Sequence, residues 1–224
     1  MTIRHPQSIL AVKTKEIIAA LNLKEGMNTC SLSNFVAAAQ NSLVIGQREQ
    51  LEKDESCLQV LPYLLIVKSS PRKPTRFKAY RRGKGVGESR LSGNVSIGFG
   101  GHVDLADVAH EESVIDLKQT VMQAAVREVA EELIFDGQAG SEDDLEIFDI
   151  GLIVDTSNEV GRVHLGVVLG VSMPENRDCA TAEDELEDMP FLTADELLSS
   201  GLPLENWTRI ALEFFKKMDE GTAA

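Results

Sequence analysis

Apolar positions change their period several times along the chain, and each change predicts an element. Residues 60–68, VLPYLLIVK, form a short apolar run of the kind that makes a buried strand. SSPRKPT follows with the composition of a turn, and RFKAYRR continues as a second extended run. Together they predict a hairpin. NVSIGFGGHVD (94–104) starts as a strand and breaks at the pair Gly100 and Gly101. LEIFDIGLIVD and GRVHLGVVLGVSM are two further β-rich stretches, separated by TSNEV.

Helical periods occupy the rest. Residues 119–133 carry Met122, Ala125, Val126, Val129 and Leu133 on one side of a wheel with about 3.6 residues per turn, and that side should face the core. Residues 1–57 are polar with apolar clusters in IIAALNL and FVAAA, and read as an N-terminal helical extension to a main domain over 58–224. Near the C-terminus, TADEL offers Thr193 and Glu196 as a capping box. ENWTRIALEFFKKM is amphipathic and ends in lysines, which suit a helix C-terminus. Strands on both sides of a central helix, with helices at both ends, predict an α/β fold: a mixed sheet sandwiched by helices.

Composition narrows the function classes. The 224 residues are 43% hydrophobic and 26% charged, with a formal net charge of −14, which argues against broad nucleic-acid or anionic-membrane binding. No apolar run approaches the ~20 residues of a membrane span, and the N-terminus lacks a secretory pattern. A cytoplasmic protein is expected. Cys30, Cys57 and Cys179 are widely spaced without a C-x-x-C pair, which fits reduced thiols better than a disulfide framework.

The chemistry concentrates in REVAEE, residues 127–132. Spacings of three and four residues bring Glu128, Glu131 and Glu132 to one helix face, with Arg127 one turn before Glu131. Carboxylates so close repel unless a cation or a shifted pKa relieves them. A hard divalent cation such as Mg²⁺ is a natural partner, and a bare carbonyl at Gly101 would add one oxygen ligand. A solvated acidic face is the competing reading.

With these residues in view, the chain resembles the Nudix hydrolases, whose signature runs G-x5-E-x7-R-E-U-x-E-E-x-G-U, U being a bulky aliphatic residue. REVAEE matches the catalytic half, AAVREVAEEL its usual surroundings, and GFGGHVD the strand leading to the signature glycine. The resemblance spans roughly residues 58–215. Together with ESRL, GRVHLGVV and ENW, these segments make the chain similar to an atypical branch described as predicted phosphoesterases. Departures are specific. The signature's first Glu falls at Gln119, its final glycine at Ile134, and its first glycine at Ser113. HVDLADVAHEES therefore reads as an insertion between glycine and helix, Gln119 as an acceptor for Arg127, and Ile134 as a sign that the helix runs on.

The resemblance implies hydrolysis of a diphosphate linkage in a nucleoside diphosphate derivative or similar phosphorylated small molecule, with Mg²⁺ as cofactor and Mn²⁺ as substitute. Metal ligands would be Glu128, Glu131, Glu132 and the Gly101 carbonyl, with Arg127 orienting the glutamates. Around this set, Arg81, Arg82, Lys84 and Arg90 form a basic cluster for phosphates, with Arg81 and Arg90 as named candidates beside His102. Weaker candidates are Glu111 and Glu112 in the insertion, His164 in a strand, Asp155 and Asn158 in a turn, and Phe77, Tyr80 and Phe99 as stacking rings. A small-molecule partner is expected, and a homodimer is compatible with the pattern. Two rivals stand: a non-catalytic Nudix-fold module binding a nucleotide or partner, and an allylic-diphosphate isomerase, which would need a catalytic Cys in a recognisable setting.

Overall fold

The computed structural model describes residues 7–71, 73–83, 93–135, 138–139, 146–183 and 186–222. In chain order the elements are β1 (Ser8–Lys13), α1 (Thr14–Leu21), β2 (Gly26–Asn28), α2 (Leu32–Ala39), β3 (Leu43–Gln47), α3 (Arg48–Leu51), β4 (Cys57–Lys68) and β5 (Arg76–Arg82). Next come β6 (Val95–Ser96), β7 (Gly98–Phe99), β8 (His110–Glu111), β9 (Val114–Ile115), α4 (Leu117–Glu132), β10 (Leu133–Phe135) and β11 (Gln138–Ala139). The series closes with β12 (Glu146–Val154), β13 (His164–Ser172), β14 (Cys179–Thr181), β15 (Leu186–Thr193), α5 (Ala194–Ser199) and α6 (Asn206–Thr222). The fold class is α/β, as the alternating periods predict.

The chain divides into two units, each assembled from three segments: Met1–Tyr63, Gly101–Val126 and Asp149–Val168 in the first, and Leu64–Gly100, Arg127–Phe148 and Leu169–Ala224 in the second.

In the first unit β1 lies between β3 and β4, antiparallel to both, with Ser8 opposite Gln47 and Lys13 opposite Cys57. Beyond β4 the order continues β13-β12-β2. Ile9, Leu10, Ala11 and Val12 are buried in succession, as expected of a strand covered on both faces. This corrects the helical reading of residues 1–57, which hold three strands beside three short helices. SILAVK and LVIGQ are apolar runs too short to show a period, and the strands beside them settle their conformation. The insertion is also structured. Asp104 and Asp107 form a reciprocal cap on a 3-10 turn, and His110–Glu111 pairs with Val114–Ile115 as a small hairpin.

In the second unit β5 pairs with β4, as the hairpin reading predicts, and with β15 on its other side. The β15 register slips between Met189 and Phe191, at Pro190, which has no N–H for the ladder. β6 pairs with β5 and β7 with β4. A second, smaller sheet joins β11, β10 and β14. Thr193 and Glu196 form the anticipated capping box at α5. The first turn of α6 is bound to the β6–β7 segment: Thr208 Oγ1 accepts from the Ile97 N–H at 3.1 Å, and the Glu205 N–H donates to the Val95 carbonyl at 3.0 Å. Phe215 on the same helix meets Phe77 edge-on at 4.9 Å. These contacts fix Glu205 beside the end of β5.

Candidate active site

Helix α4 begins where the Asp116 carboxylate accepts from the Gln119 N–H at 2.9 Å, satisfying one of the free donors of its first turn. It buries Val121, Ala124, Ala125 and Val129, while Met122 and Val126 are only half-buried. The core face is thus turned slightly from the one read off the wheel. The turn matters because Glu128 and Glu132 continue the line of Ala124 at steps of four residues. Glu128 is 8% exposed and Glu132 is half-buried, whereas the Glu131 side chain is 57% exposed. The three glutamates do not share one environment.

The helix stops at Glu132, which corrects the expectation that it runs on through Ile134. Leu133, Ile134 and Phe135 pair with Thr181, Ala180 and Cys179 of β14, and the Ala182 N–H donates to the Glu132 carbonyl at 2.8 Å. Strand partners capture the chain where a glycine cap would otherwise have ended the helix.

Each carboxylate has a distinct partner. Arg127 Nη1 donates to Glu128 Oε1 at 2.8 Å and to Glu131 Oε2 at 3.2 Å. The Gly100 N–H donates to Glu132 Oε2 at 2.7 Å. Burial pushes the Glu132 carboxyl up to about 8, the charges of Glu128 and Glu183 add to the rise, and the Gly100 N–H and Arg82 oppose it. Gln119 is exposed in the first turn of α4, and the bonds described for Arg127 go to glutamates.

Among the described residues no three His, Cys, Asp or Glu side chains come together as a ready metal site. What the structure does bring together is buried Glu128 and half-buried Glu132, one turn apart, with the charge of Glu128 acting on Glu132. That pair is a donor set a hard divalent cation would relieve. It fits a metal as a two-carboxylate arrangement, with Glu131 exposed one residue before Glu132. Gly100 makes the contact with Glu132, while its successor Gly101 belongs to the first unit.

The architecture has a solved counterpart. Tm1382, provisionally designated a Nudix hydrolase, matches 95% of this chain and 99% of its own, with a TM-score of 0.71 at 24% identity. The fold is a Nudix fold. A NUDIX hydrolase from Alicyclobacillus acidocaldarius matches 70% of this chain and 90% of its own, with a TM-score of 0.48 at 18% identity. Protein YmaB of Bacillus subtilis (strain 168) is 28% identical over 172 residues, 76% of this chain and 77% of its own. No family model matches the chain.

On this Nudix fold the remaining candidates are distributed unevenly. Alternate residues of β5 face opposite ways, and Arg81 Nη1 lies 3.5 Å from Glu187 on β15. Arg82, on the other face with Tyr80, is the arginine whose charge reaches Glu132. Its Nε donates to Glu205 at 2.5 Å and its Nη2 to the Tyr80 hydroxyl at 3.2 Å. Arg82 pairs with a glutamate some 120 residues on in sequence, so sequence order gave no sign of Glu205. Arg90 and Lys84 lie outside the described residues.

In the first unit, His102 Nε2 lies 2.8 Å from Gln59 Oε1 and 3.3 Å from His164 Nε2, and His164 Nδ1 lies 2.6 Å from the Val160 carbonyl. Burial, Arg48 and His164 push His102 down to about 3. Asp155 is buried and organises its own turn, accepting from the Ser157 N–H at 3.0 Å and from Asn158 Nδ2 at 3.0 Å. Phe77, Tyr80 and Phe99 are core side chains. Glu111 and Glu112 are exposed on the small hairpin. Among the described residues no helix is long and apolar enough to cross a membrane.

Proposed function

We propose that the protein is a metal-dependent hydrolase that cleaves a diphosphate linkage in a nucleoside diphosphate derivative or similar phosphorylated small molecule. The observation that carries this reading is the pairing of Glu128 and Glu132 one turn apart on α4 of a Nudix fold, with Glu132 bonded to Gly100 and driven toward neutrality. Isolated surface acids need no such arrangement.

Glu128 and Glu132 would hold Mg²⁺, or Mn²⁺ in its place, with Glu131 and the Gly101 carbonyl as the further ligands the resemblance implies. A bound cation supplies charge neutralisation at the diphosphate and a lowered pKa for coordinated water. Arg127 orients Glu128 and Glu131 through its two hydrogen bonds, and Gly100 fixes the rotamer of Glu132. A small-molecule substrate and a cytoplasmic setting accompany this reading, given the net charge of −14.

The exposure of Glu131 and its tie to Arg127 favour one alternative, a Nudix-fold module that binds a nucleotide without turnover. Incubating the pure protein with a panel of nucleoside diphosphate derivatives, with Mg²⁺ or with excess chelator, separates the two. Hydrolysis that chelator abolishes and Mg²⁺ or Mn²⁺ restores is the expected result. Binding without product would establish the module, and full turnover in excess chelator would remove the metal from the reading.

A further inference from the structure

Arg82 is a charge held in place by two neighbours. Its Nε is committed to Glu205 and its Nη2 to Tyr80, whose own hydroxyl proton goes to the Gly98 carbonyl at 2.9 Å. Nη1, with two N–H groups, makes no hydrogen bond among the described residues. The side chain is 39% exposed while Glu205 is only 11% exposed, so the clamp is buried and the free edge is open. Burial opposes its charge, but the Glu205 and Glu132 carboxylates outweigh that effect and the guanidinium stays charged. Its partner Tyr80 is bonded to Gly98, two residues before the Gly100 whose N–H donates to Glu132, and the Arg82 charge acts on Glu132.

A guanidinium whose orientation is already fixed loses little entropy on gripping an oxyanion and offers its remaining N–H groups to it. We infer that Arg82, held by Glu205 and Tyr80, is the residue that receives the phosphate oxygens of the substrate next to Glu132. Glu205 is its positioning residue. This rests on the diphosphate-hydrolase reading, and it replaces Arg81, whose charge is directed to Glu187.

The test is calorimetric titration of the full-length protein with inorganic pyrophosphate in excess chelator, with thermal melts to confirm folding. Wild type should bind. Arg82→Ala should weaken binding by about 10- to 100-fold, the scale of a lost hydrogen bond to a charged group. Arg82→Lys, which keeps the charge without the fork, should fall between and carries the test if the alanine variant does not fold. Glu205→Ala should weaken binding, and Glu205→Gln should recover most of it because the amide oxygen still accepts from Nε. A purely structural role for Glu205 would move the melt and leave affinity alone. Absence of binding by wild type, unchanged affinity in folded Arg82 variants, or the same loss in Arg81→Ala instead, would overturn the inference. Failure of the hydrolase reading looks different: pyrophosphate bound through Arg82 by a protein that cleaves nothing on the panel.

Discussion

The Gly100 N–H and the Glu132 carboxylate meet at 2.7 Å, and Gly100 makes that approach with φ at 129°. This region of backbone space is open to glycine and closed to ordinary side chains. The end of one strand and the last residue of the acidic helix are therefore joined through a conformation that only one amino acid adopts cheaply.

Replacing Gly100 with alanine should cost about 1–3 kcal/mol, the scale of a strained backbone position, and should release Glu132 from its donor. Denaturant unfolding measures the first effect. A parallel loss of turnover, larger than in an equally destabilised variant elsewhere, measures the second.

Glu132→Gln should lower turnover by about 10² or more without weakening the fold. The sign follows from the raised carboxyl. Between its ordinary 4.5 and its folded value of about 8, the native state holds a proton that the unfolded chain releases, so this group erodes stability as pH rises through that window. Glutamine does not titrate. In chelator, melts should therefore show the variant gaining on wild type from about pH 4.5 to pH 8. Glu131→Gln, at an exposed side chain, should change stability by less than about 0.5 kcal/mol at any pH.

Two glycines should respond differently to alanine. A Cβ on Gly161 would lie 2.1 Å from the Asp155 carbonyl oxygen, which is backbone and cannot step aside. On Gly170 it would meet the Phe148 ring at 2.2 Å, and that side chain is 39% exposed and free to swing outward. Chemical denaturation should find Gly161→Ala at or above the ~1–3 kcal/mol range of overpacking and Gly170→Ala at or below its lower end.

Cys179 should resist thiol reagents in the native state. Burial pushes its thiol up to about 12, so almost no thiolate exists at pH 8. Mass-mapped alkylation at pH 8 should leave Cys179 unmodified until denaturant is added. Labelling of Cys179 at the rate of a free thiol would show that β14 opens readily.

Several elements were legible because their residues carry the information locally. VLPYLLIVK and RFKAYRR are long enough to show strand character and sit close enough to pair as a hairpin. Thr193 and Glu196 satisfy each other within one turn of chain, and REVAEE places its acids by helical geometry alone. The strands β1, β3, β14 and β15 were not legible. Their runs are short or interrupted by polar residues and Pro190, and a strand acquires its hydrogen bonds only from partners far away in sequence. Ile134 illustrates the same limit. Nothing in ELIF forbids another helical turn, yet β14 claims those residues.

The sequence by itself determined that an acidic helix exists, that it occupies about residues 119–133, and that its glutamates lie three and four residues apart. Those are consequences of local periodicity and capping. Only the tertiary structure decided that Glu128 and Glu132 turn inward while Glu131 faces water, that the Gly100 N–H donates to Glu132, and that Arg82 is clamped by Glu205 and Tyr80. Each of these depends on which neighbouring element excludes solvent from a given side of a helix or strand. That exclusion is set by packing between segments many residues apart, to which the local pattern of the chain is blind.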